Sequence, residues 1–249
     1  MTISSHHNQK LKEIRKLRQR RRWREQAGRF VAEGEDLLAA ADAAGWEPLE
    51  RYAAVGSGLP GVEVEADALA SASGLASGTR ALAVYEERWL ESPAGPLCVY
   101  LHGVADPGNV GTILRSAEAF GASCVAVGPG TADPFGPKAV RASMGAVFAV
   151  PVANAEAVTE LPGSKIALVA WEGVALGELW RFRQERVDEN AKVHETTLLI
   201  GAEREGLPQE LVQTADHIAH IPIATHSLNA AQAATVALYE LTSRMARDE

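Results

Sequence analysis

The feature that most constrains the fold is an alternation of short apolar runs with helical patterns, which begins at Leu97. Continuous apolar runs of this length are typical of parallel strands that are covered on both faces. The predicted strands are residues 97–101, 123–127, 147–150, 166–170, 196–200 and 217–221. Helices are predicted at residues 110–120, 138–144, 155–161, 208–214 and 228–247, with a charged surface helix or loop at 179–194. We therefore predict an α/β fold with an open parallel sheet, whose ligand sites lie outside the carboxyl ends of its strands.

A smaller and different pattern precedes this one. Residues 9–25 predict a cationic helix with Leu11, Ile14 and Leu17 on one side. Strands are predicted at 30–32, 52–55, 62–64 and 81–85, and helices at 34–44 and 66–73. The Pro- and Gly-containing segment 91–96 is typical of a linker. We therefore predict a small α/β domain over residues 1–92 and a larger domain over 97–249.

The charge is distributed very unevenly along the chain. The whole chain carries a net charge of -8, but the segment from Lys10 to Arg24 contains nine cations and a single acid, Glu13. Residues 1–24 thus carry +8, and the remainder carries -16. This asymmetry favours a basic helix that binds a polyanion, although a solvated helix face that only balances the acidic body stays open as an alternative.

Cysteine content and hydropathy predict the compartment. Cys98 and Cys124 both lie in predicted strands, so we expect buried free thiols rather than a disulfide or half of a metal site. No apolar run approaches the ~20 residues of a membrane span. We expect a soluble protein of the reducing cytoplasm that has no membrane partner.

Three stretches follow the ends of predicted strands. The first, HGVADPGNVGTILRSA, begins at His102 and places a helix start near Asn109, with Arg115 opposite the core side. The second, LLIGAEREGLP, spans residues 198–208, and its Gly201 would let a ligand approach the backbone. The third is residues 221–240, IPIATHSLNAAQAATVALYE, in which Ser227 occupies the expected helix N-cap.

Each stretch also has an ordinary structural interpretation. Arg115 could be a surface cation paired with Glu118 at i+3, worth only ~0.3–0.5 kcal/mol. Asn109 could be an N-cap, and the glycine loop an ordinary strand-to-helix turn. Ser227 could serve only as a cap, with Asn229 in the first helical turn. Spacing alone leaves both interpretations open.

Taken together, the stretches resemble the three motifs of a known family. The patterns N-x-G-x-x-x-R-[ST]-A, I-G-x-E-x-x-G-L and I-P…S-L-N occur in this order in the SpoU-type (TrmH-like) RNA 2′-O-ribose methyltransferases of the SPOUT superfamily. The resemblance covers residue 97 to the C-terminus. Residues 8–38, NQKLKEIRKLRQRRRWREQAGRFVAEGEDLL, are similar to the RNA substrate-binding domain that precedes the catalytic domain in many members.

The resemblance implies a parallel sheet with a C-terminal trefoil knot, and a homodimer whose active site draws on both subunits. S-adenosylmethionine would be held at the positions of Ile200, Gly201, Ile221, Ile223 and Leu228. Arg115 matches the family's catalytic arginine, supported by Asn109, Glu203, Ser227 and Asn229. No metal is expected, since no His, Cys or Asp cluster has ligand spacing.

The sequence departs from the family pattern at one place. Between Pro222 and Ser227 the family usually has a longer loop that contains glycine, and the usual Val-Ser after Asn229 is Ala230-Ala231 here. The shortened loop puts the shape of the cofactor loop in question.

Three functions are consistent with these observations to different degrees. The leading one is an S-adenosylmethionine-dependent RNA 2′-O-ribose methyltransferase acting on structured RNA, ribosomal RNA being favoured over transfer RNA by the N-terminal domain. Its RNA contacts would come from the basic segment, at Lys10, Arg15, Arg18, Arg20, Arg21, Arg22 and Arg24. The alternative is an inactive RNA-binding or ribosome-assembly protein on the same fold, which the shortened loop favours and the intact polar set disfavours. A Rossmann-type dehydrogenase lacks its glycine fingerprint here.

Overall fold

The computed structural model describes residues 2–74, 78–179, 195–225 and 227–245, with two β-sheets. The first sheet contains the strands β1 (Arg29–Glu33), β2 (Glu50–Ala54), β3 (Val62–Val64) and β4 (Ala81–Glu86), in the order β1-β4-β2-β3. Around it lie the helices α1 (Gln9–Gln19), α2 (Arg21–Ala27), α3 (Glu35–Ala43) and α4 (Ala66–Ala72). The predicted N-terminal elements are thus present, with ends that differ by a few residues.

The cationic helix is split into α1 and α2. Asn8 caps α1, its Oδ1 accepting the N–H of Lys10 at 2.9 Å. Arg20 is in an extended conformation between the two helices, and Gly28 ends α2 with a φ of 61°, which glycine adopts without strain. The predicted apolar side of α1 is confirmed, because Leu11, Ile14 and Leu17 are all buried against the first sheet.

The second sheet has eight strands, and every pair of neighbours in it is parallel. Its strands are β5 (Trp89–Leu90), β6 (Leu97–Leu101), β7 (Cys124–Val127), β8 (Val152–Asn154), β9 (Ser164–Val169), β10 (Val174–Ala175), β11 (Thr196–Ile200) and β12 (His217–His220). Their spatial order is β10-β12-β9-β11-β6-β7-β8-β5. The predicted parallel α/β sheet is confirmed.

The helices of this half are α5 (Pro107–Ala119), α6 (Pro137–Ala142), α7 (Ala146–Ala149), α8 (Gln209–Thr214) and α9 (Ala230–Met245). Short 3-10 turns occur at Val158–Glu160 and Leu176–Glu178. In the part of the chain that the structure describes, no helix is long and apolar enough to cross a membrane.

Two predicted elements were wrong. The apolar run 147–150 is not a strand, since α7 covers most of it and Val147 and Phe148 are buried. A short apolar run cannot be assigned by periodicity alone, and the strand follows Pro151 as β8 instead. The helix expected at 155–161 is reduced to the 3-10 turn at Val158–Glu160. Most of the charged stretch 179–194 lies outside the described residues.

The expectation of free thiols was also wrong. Cys98 and Cys124 form a disulfide between the neighbouring strands β6 and β7. The two residues are direct register partners, and their Cα atoms are 5.0 Å apart, within the range that a disulfide spans. The residues are 26 positions apart in sequence, so only the strand register shows that they meet.

The two sheets share an apolar core. Phe30 of β1 packs against Phe135 with ring centroids 4.9 Å apart, and Trp46 packs against Phe148 of α7 at 5.3 Å. The Trp46 indole N–H also donates to the Phe148 carbonyl at 2.8 Å. The strand β5, which directly precedes the segment expected to be a linker, pairs with β8 of the parallel sheet. The N-terminal unit is therefore packed onto the parallel sheet by both apolar contacts and strand pairing.

Candidate active site

The strand order brings the three motif stretches to one edge of the parallel sheet. β11 lies between β6 and β9, and β12 is the next neighbour of β9. The stretches leave the sheet at Leu101, Ile200 and His220, each at the carboxyl end of its strand. The connection after β6 leads to β7 on one side, whereas the connection after β11 leads past β9 to β12 on the other side. A parallel α/β sheet opens a crevice for a ligand at such a divergence.

Three polar side chains, one from each stretch, are hydrogen-bonded in a row. Asn109 donates from its Nδ2 to Glu203 Oε1 at 2.6 Å. Asn229 donates from its Nδ2 to Asn109 Oδ1 at 3.1 Å. These residues are 94 and 120 positions apart in sequence, so the fold alone assembles them. Their mutual bonds fix the side-chain orientations at the mouth of the crevice.

The helix caps differ from those expected. Asp106, and not Asn109, caps α5, since its Oδ1 accepts the N–H of Gly108 at 2.7 Å. The Lys138 ammonium also binds Asp106 at 2.8 Å, and these two hydrogen bonds hold the pKa of this carboxyl below its usual range. At α9 the cap is Asn229 and not Ser227, because Asn229 Oδ1 accepts the N–H of Ala231 at 2.9 Å. Neither Asn109 nor Ser227 therefore caps a helix.

The glycine loop after β11 is tightly closed. Ala202 and Gly206 exchange two backbone hydrogen bonds of 3.1 and 3.0 Å, which places Glu203 on the turn between them. A Cβ at Gly201 would overlap the backbone of Gly206 and Leu207. Glycine is therefore required at 201 because the backbone of residues 206 and 207 passes close to it. The sequence had instead suggested that this glycine makes room for a ligand.

A cavity of about 510 Å³ lies at this edge. Its volume is within the usual range for small-molecule sites, and its walls are largely apolar. All five residues that the resemblance assigns to the cofactor line it, together with Glu203 and Ser227: Ile200, Gly201, Ile221, Ile223 and Leu228. Ser227 is exposed and has no hydrogen-bond partner among the described residues. The lining includes residues on both sides of the shortened loop, whose His226 lies outside the described residues.

One wall of the cavity consists of residues that the sequence motifs did not indicate. Residues 168–172, which end β9 and continue beyond it, line the cavity and include Trp171 and Glu172. Trp171 is largely exposed. The rule that placed ligands at strand ends would have included these residues, had it been applied to the predicted strand 166–170.

Arg115 lies apart from this cavity. It is six residues beyond Asn109, about 9 Å along the axis of α5, and it does not line the cavity. Its side chain is exposed and, within the part of the chain that the structure describes, has no hydrogen bond or ion pair. The suggested pair with Glu118 does not form. Among the described residues, Arg115 is therefore an exposed cation without a partner.

Helix α9, which packs beside α5, exposes apolar side chains. Ser116 bonds Thr235 of α9 at 2.6 Å, so α5 and α9 pack side by side. Beyond that contact, Phe120 and Tyr239 meet ring to edge with centroids 6.1 Å apart, and Tyr239 is 57% exposed. Val236 on the same helix is exposed as well.

The cations of the basic segment fall into three groups. Arg24 is buried and bound to Asp133 at 2.6 Å and to the Leu17 carbonyl at 2.6 Å. Arg15 and Arg18 are half-buried, the first on Ser71 and the second in an ion pair with Glu33. Burial lowers the pKa of Arg18, against the effect of the Glu33 carboxylate. The exposed group consists of Lys10, Lys12, Lys16, Arg20, Arg21 and Arg22.

Two exposed members already have partners. Lys10 pairs with Glu50 at 2.6 Å, and Arg21 pairs with Glu25 at 2.7 Å. Arg20 and Arg22 have no side-chain partner among the described residues. Across the described ranges, no group of three His, Cys, Asp or Glu residues is arranged to hold a metal ion.

The fold combines an all-parallel α/β sheet, which has a cavity at its carboxyl edge, with a four-stranded N-terminal unit. Comparison with known proteins identifies the family. The chain belongs to the SpoU rRNA Methylase family, whose model matches residues 96–239. The model of the MRM3-like substrate binding domain matches residues 8–82.

Relatives with solved structures cover nearly the whole chain. The AdoMet-bound rRNA methyltransferase from Sinorhizobium meliloti is 29% identical, with a TM-score of 0.82 and 98% of each chain covered. The SpoU methyltransferase AviRb from Streptomyces viridochromogenes, in complex with AdoMet, is 25% identical with a TM-score of 0.81, and the match covers 96% of this chain and 99% of that one.

Among curated relatives, the 23S rRNA (guanosine(2553)-2′-O)-methyltransferase RlmP of Bacillus subtilis is 32% identical over 143 residues, 57% of this chain and 56% of that protein. The 23S rRNA (uridine(2479)-2′-O)-methyltransferase of Streptomyces viridochromogenes is 35% identical over 145 residues, 54% and 48% of the two chains. The chain thus spans about half the length of these two curated relatives.

Proposed function

We propose that this protein is an S-adenosylmethionine-dependent RNA 2′-O-ribose methyltransferase that acts on structured RNA, with ribosomal RNA favoured over transfer RNA. The observation that carries the proposal is the convergence of the three motif stretches. They place the hydrogen-bonded row of Asn109, Glu203 and Asn229 beside the cavity at the carboxyl edge of the parallel sheet. The names of the relatives, several of which are rRNA 2′-O-methyltransferases, support the choice of RNA.

The cavity suits the cofactor. Ile200, Ile221, Ile223 and Leu228 offer apolar walls, and the closed loop after Gly201 presents backbone groups at the rim. When bound, S-adenosylmethionine supplies a sulfonium methyl group, which a ribose 2′-oxygen attacks. The chain's task is to hold the acceptor in line with that methyl group and to stabilise the oxygen as it loses its proton.

The polar row has a part in this positioning. Asn109 is held rigidly between Glu203 and Asn229, so the three orient groups at the rim of the cavity without reorganising. The Ser227 hydroxyl lines the cavity without a hydrogen-bond partner among the described residues, and we infer that it is available to a ligand. We assign Arg115 to binding phosphate or the developing charge on the ribose, because a guanidinium stays protonated in proteins.

The location of Arg115 supports a homodimer. In one subunit it is exposed on α5 and is not part of the cavity lining, and the neighbouring helix α9 exposes the apolar side chains of Val236 and Tyr239. Packing this face against a second copy would cover the apolar surface and carry Arg115 towards the partner's cavity.

We also infer that α9 closes the trefoil knot implied by the family resemblance, and that the protein works in the cytoplasm.

The test has two parts. Calorimetry should show binding of S-adenosylmethionine and none of NAD, which separates the proposal from a dehydrogenase. Transfer of a labelled methyl group to in-vitro transcribed 23S rRNA, followed by mapping of ribose methylation, should then show 2′-O-methylation. Cofactor binding without transfer to any ribosomal or transfer RNA would instead support an inactive RNA-binding protein.

A further inference from the structure

We propose that Trp23 is a stacking platform for an unpaired nucleobase of the RNA substrate, held by α2 at the edge of the parallel sheet where the candidate active site lies. The inference rests on the proposed function, since it takes RNA as the substrate. It adds a residue and a mode of recognition to the contacts made by the basic segment.

The surroundings of Trp23 differ from those of Trp46 and Trp89, and its place in the basic segment distinguishes it from Trp171, which is also exposed. Trp46 is buried among aromatic rings, and Trp89 packs on Phe135 with centroids 5.1 Å apart. Trp23 is 39% exposed, and no aromatic ring packs against it among the described residues. Its neighbour is Lys16, whose ammonium lies 4.7 Å from the ring centroid. The exposed part of the ring offers a π-face on which a nucleobase can stack beside this cation.

The ring is set in positive charge that no acid neutralises. Arg20 and Arg22 both precede it within one turn of chain, and both are exposed without a side-chain partner in the described part of the chain. The nearest acid in sequence, Glu25, is already bound to Arg21. An aromatic face surrounded by free cations is the combination that single-stranded nucleic acid requires, because bases stack on the ring while phosphates meet the cations.

Three hydrogen bonds hold α2 in place. The buried Arg24 guanidinium binds both the Leu17 carbonyl of α1 and the Asp133 carboxylate in the loop after β7. Arg21 reaches the Thr131 carbonyl of the same loop at 3.4 Å. Trp23 lies between these two residues in sequence, so its helix is fastened to the parallel sheet on both sides of it.

The same loop leads to the candidate active site. The Thr131 hydroxyl donates to the Leu101 carbonyl at 2.7 Å, at the carboxyl end of β6. The chain then continues from Leu101 into the stretch that carries Asn109. A continuous set of hydrogen bonds therefore connects the helix of Trp23 to the strand from which the polar row is built.

This geometry favours an unpaired base over a duplex. Bases in an A-form helix are stacked on one another, and aromatic side chains reach them only in loops, bulges and ends. A platform beside the active site would hold a splayed base near the target nucleotide and fix the register of the RNA.

The experiment measures affinity for two RNAs of equal length, an oligoadenylate single strand of about twelve nucleotides, within the site size of such surfaces, and a duplex. Trp23→Ala should weaken single-strand binding at least about five-fold and duplex binding less than about two-fold. The slope of affinity against salt should stay unchanged, because no charge is lost. Trp23→Phe should restore most of the affinity. Val55→Ala is the matched control, since Val55 is similarly exposed in the N-terminal unit.

Equal losses on both RNAs, or unaltered single-strand affinity, would overturn the platform, as would wild-type protein that does not bind the single strand. Unchanged S-adenosylmethionine affinity and melting temperature in Trp23→Ala would show that the fold is intact. If the wild-type protein transfers methyl groups but Trp23→Ala leaves single-strand affinity unchanged, the platform is refuted and the proposed function is not. A selective single-strand loss in a protein that transfers no methyl group defeats the proposed function and leaves the platform standing.

Discussion

The basic segment and helix α5 use cations in opposite ways. The segment from Lys10 to Arg24 has nine cations, and the most buried of them, Arg18 and Arg24, are bound to acids inside the protein. Helix α5 has one cation, Arg115, which is exposed and has no partner among the described residues. The difference shows that the burial of a cation and its partners decide its role, while the number of cations in a segment does not.

The physical reason lies in what each helix packs against. α1 and α2 cover the first sheet and a loop of the second, where Glu33 and Asp133 meet the arginines at the seam. A buried charge is tolerated only with such a partner. Arg115 on the exposed side of α5 has no such partner among the described residues, so it stays available for a ligand or a second subunit.

The largest effect should come from Arg24. Arg24→Ala leaves the Asp133 carboxylate at a buried seam without its partner, which should lower the free energy of unfolding by about 3–5 kcal/mol. Urea denaturation measures this. Arg22→Ala, two residues away and exposed, is the control and should change stability by less than ~0.5 kcal/mol. Arg24→Met combined with Asp133→Leu should recover much of the loss; a single-variant loss below ~1 kcal/mol would mean that the pair does not hold the seam.

Arg115 should show the reverse behaviour. Arg115→Ala should leave the melting temperature and cofactor affinity nearly unaltered, but it should lower the methyl-transfer rate at least ~100-fold, as expected for a charge-stabilising group. Single-turnover transfer with saturating cofactor isolates this step. Arg115→Lys should not rescue it, because an ammonium lacks the planar set of donors. Glu118→Gln on the same helix is the control, and an Arg115→Ala rate within a few-fold of wild type would remove Arg115 from the mechanism.

The exposed cations should have a smaller and salt-dependent effect. Replacing Arg20 and Arg22 by Gln should lower the slope of log affinity for RNA against log salt by roughly 0.7–0.9 per lost phosphate contact. Arg15→Gln is the comparison inside the same segment, because Arg15 is occupied by Ser71 and the His6 carbonyl. If both substitutions changed the slope equally, burial would not distinguish the cations of this segment.

The smallest effect concerns Glu87, which lies near the Arg24–Asp133 seam. Burial raises the pKa of Glu87 above 4.5, although a hydrogen bond from the Trp89 indole opposes the shift. A carboxyl with a raised native pKa binds its proton more tightly in the folded state, so stability falls as pH rises from 4.5 through the raised pKa. Glu87→Gln should flatten this part of the pH–stability curve and be no less stable than wild type at pH 7. A steeper curve in the variant would contradict the assignment.

Local patterns in the sequence determined much of the architecture. Apolar runs of strand length predicted most of the parallel sheet, since a strand covered on both faces must be apolar throughout. The spacing of Leu11, Ile14 and Leu17 predicted the buried face of α1 because three- and four-residue steps return to one side of a helix. The motif residues could be singled out because each motif is a short, continuous piece of chain.

Only the tertiary structure decided what meets across long separations. The pairing of Cys98 with Cys124 depends on the register of β6 and β7, and the row of Asn109, Glu203 and Asn229 depends on the order of strands in the sheet. The division of the basic segment into buried and exposed arginines depends on Glu33 of β1 and on Asp133, which is 109 residues beyond Arg24. Composition and periodicity describe neighbours along the backbone. The burial of a cation and its partners are set by packing between elements, so the environment of each cation is known only from the folded structure.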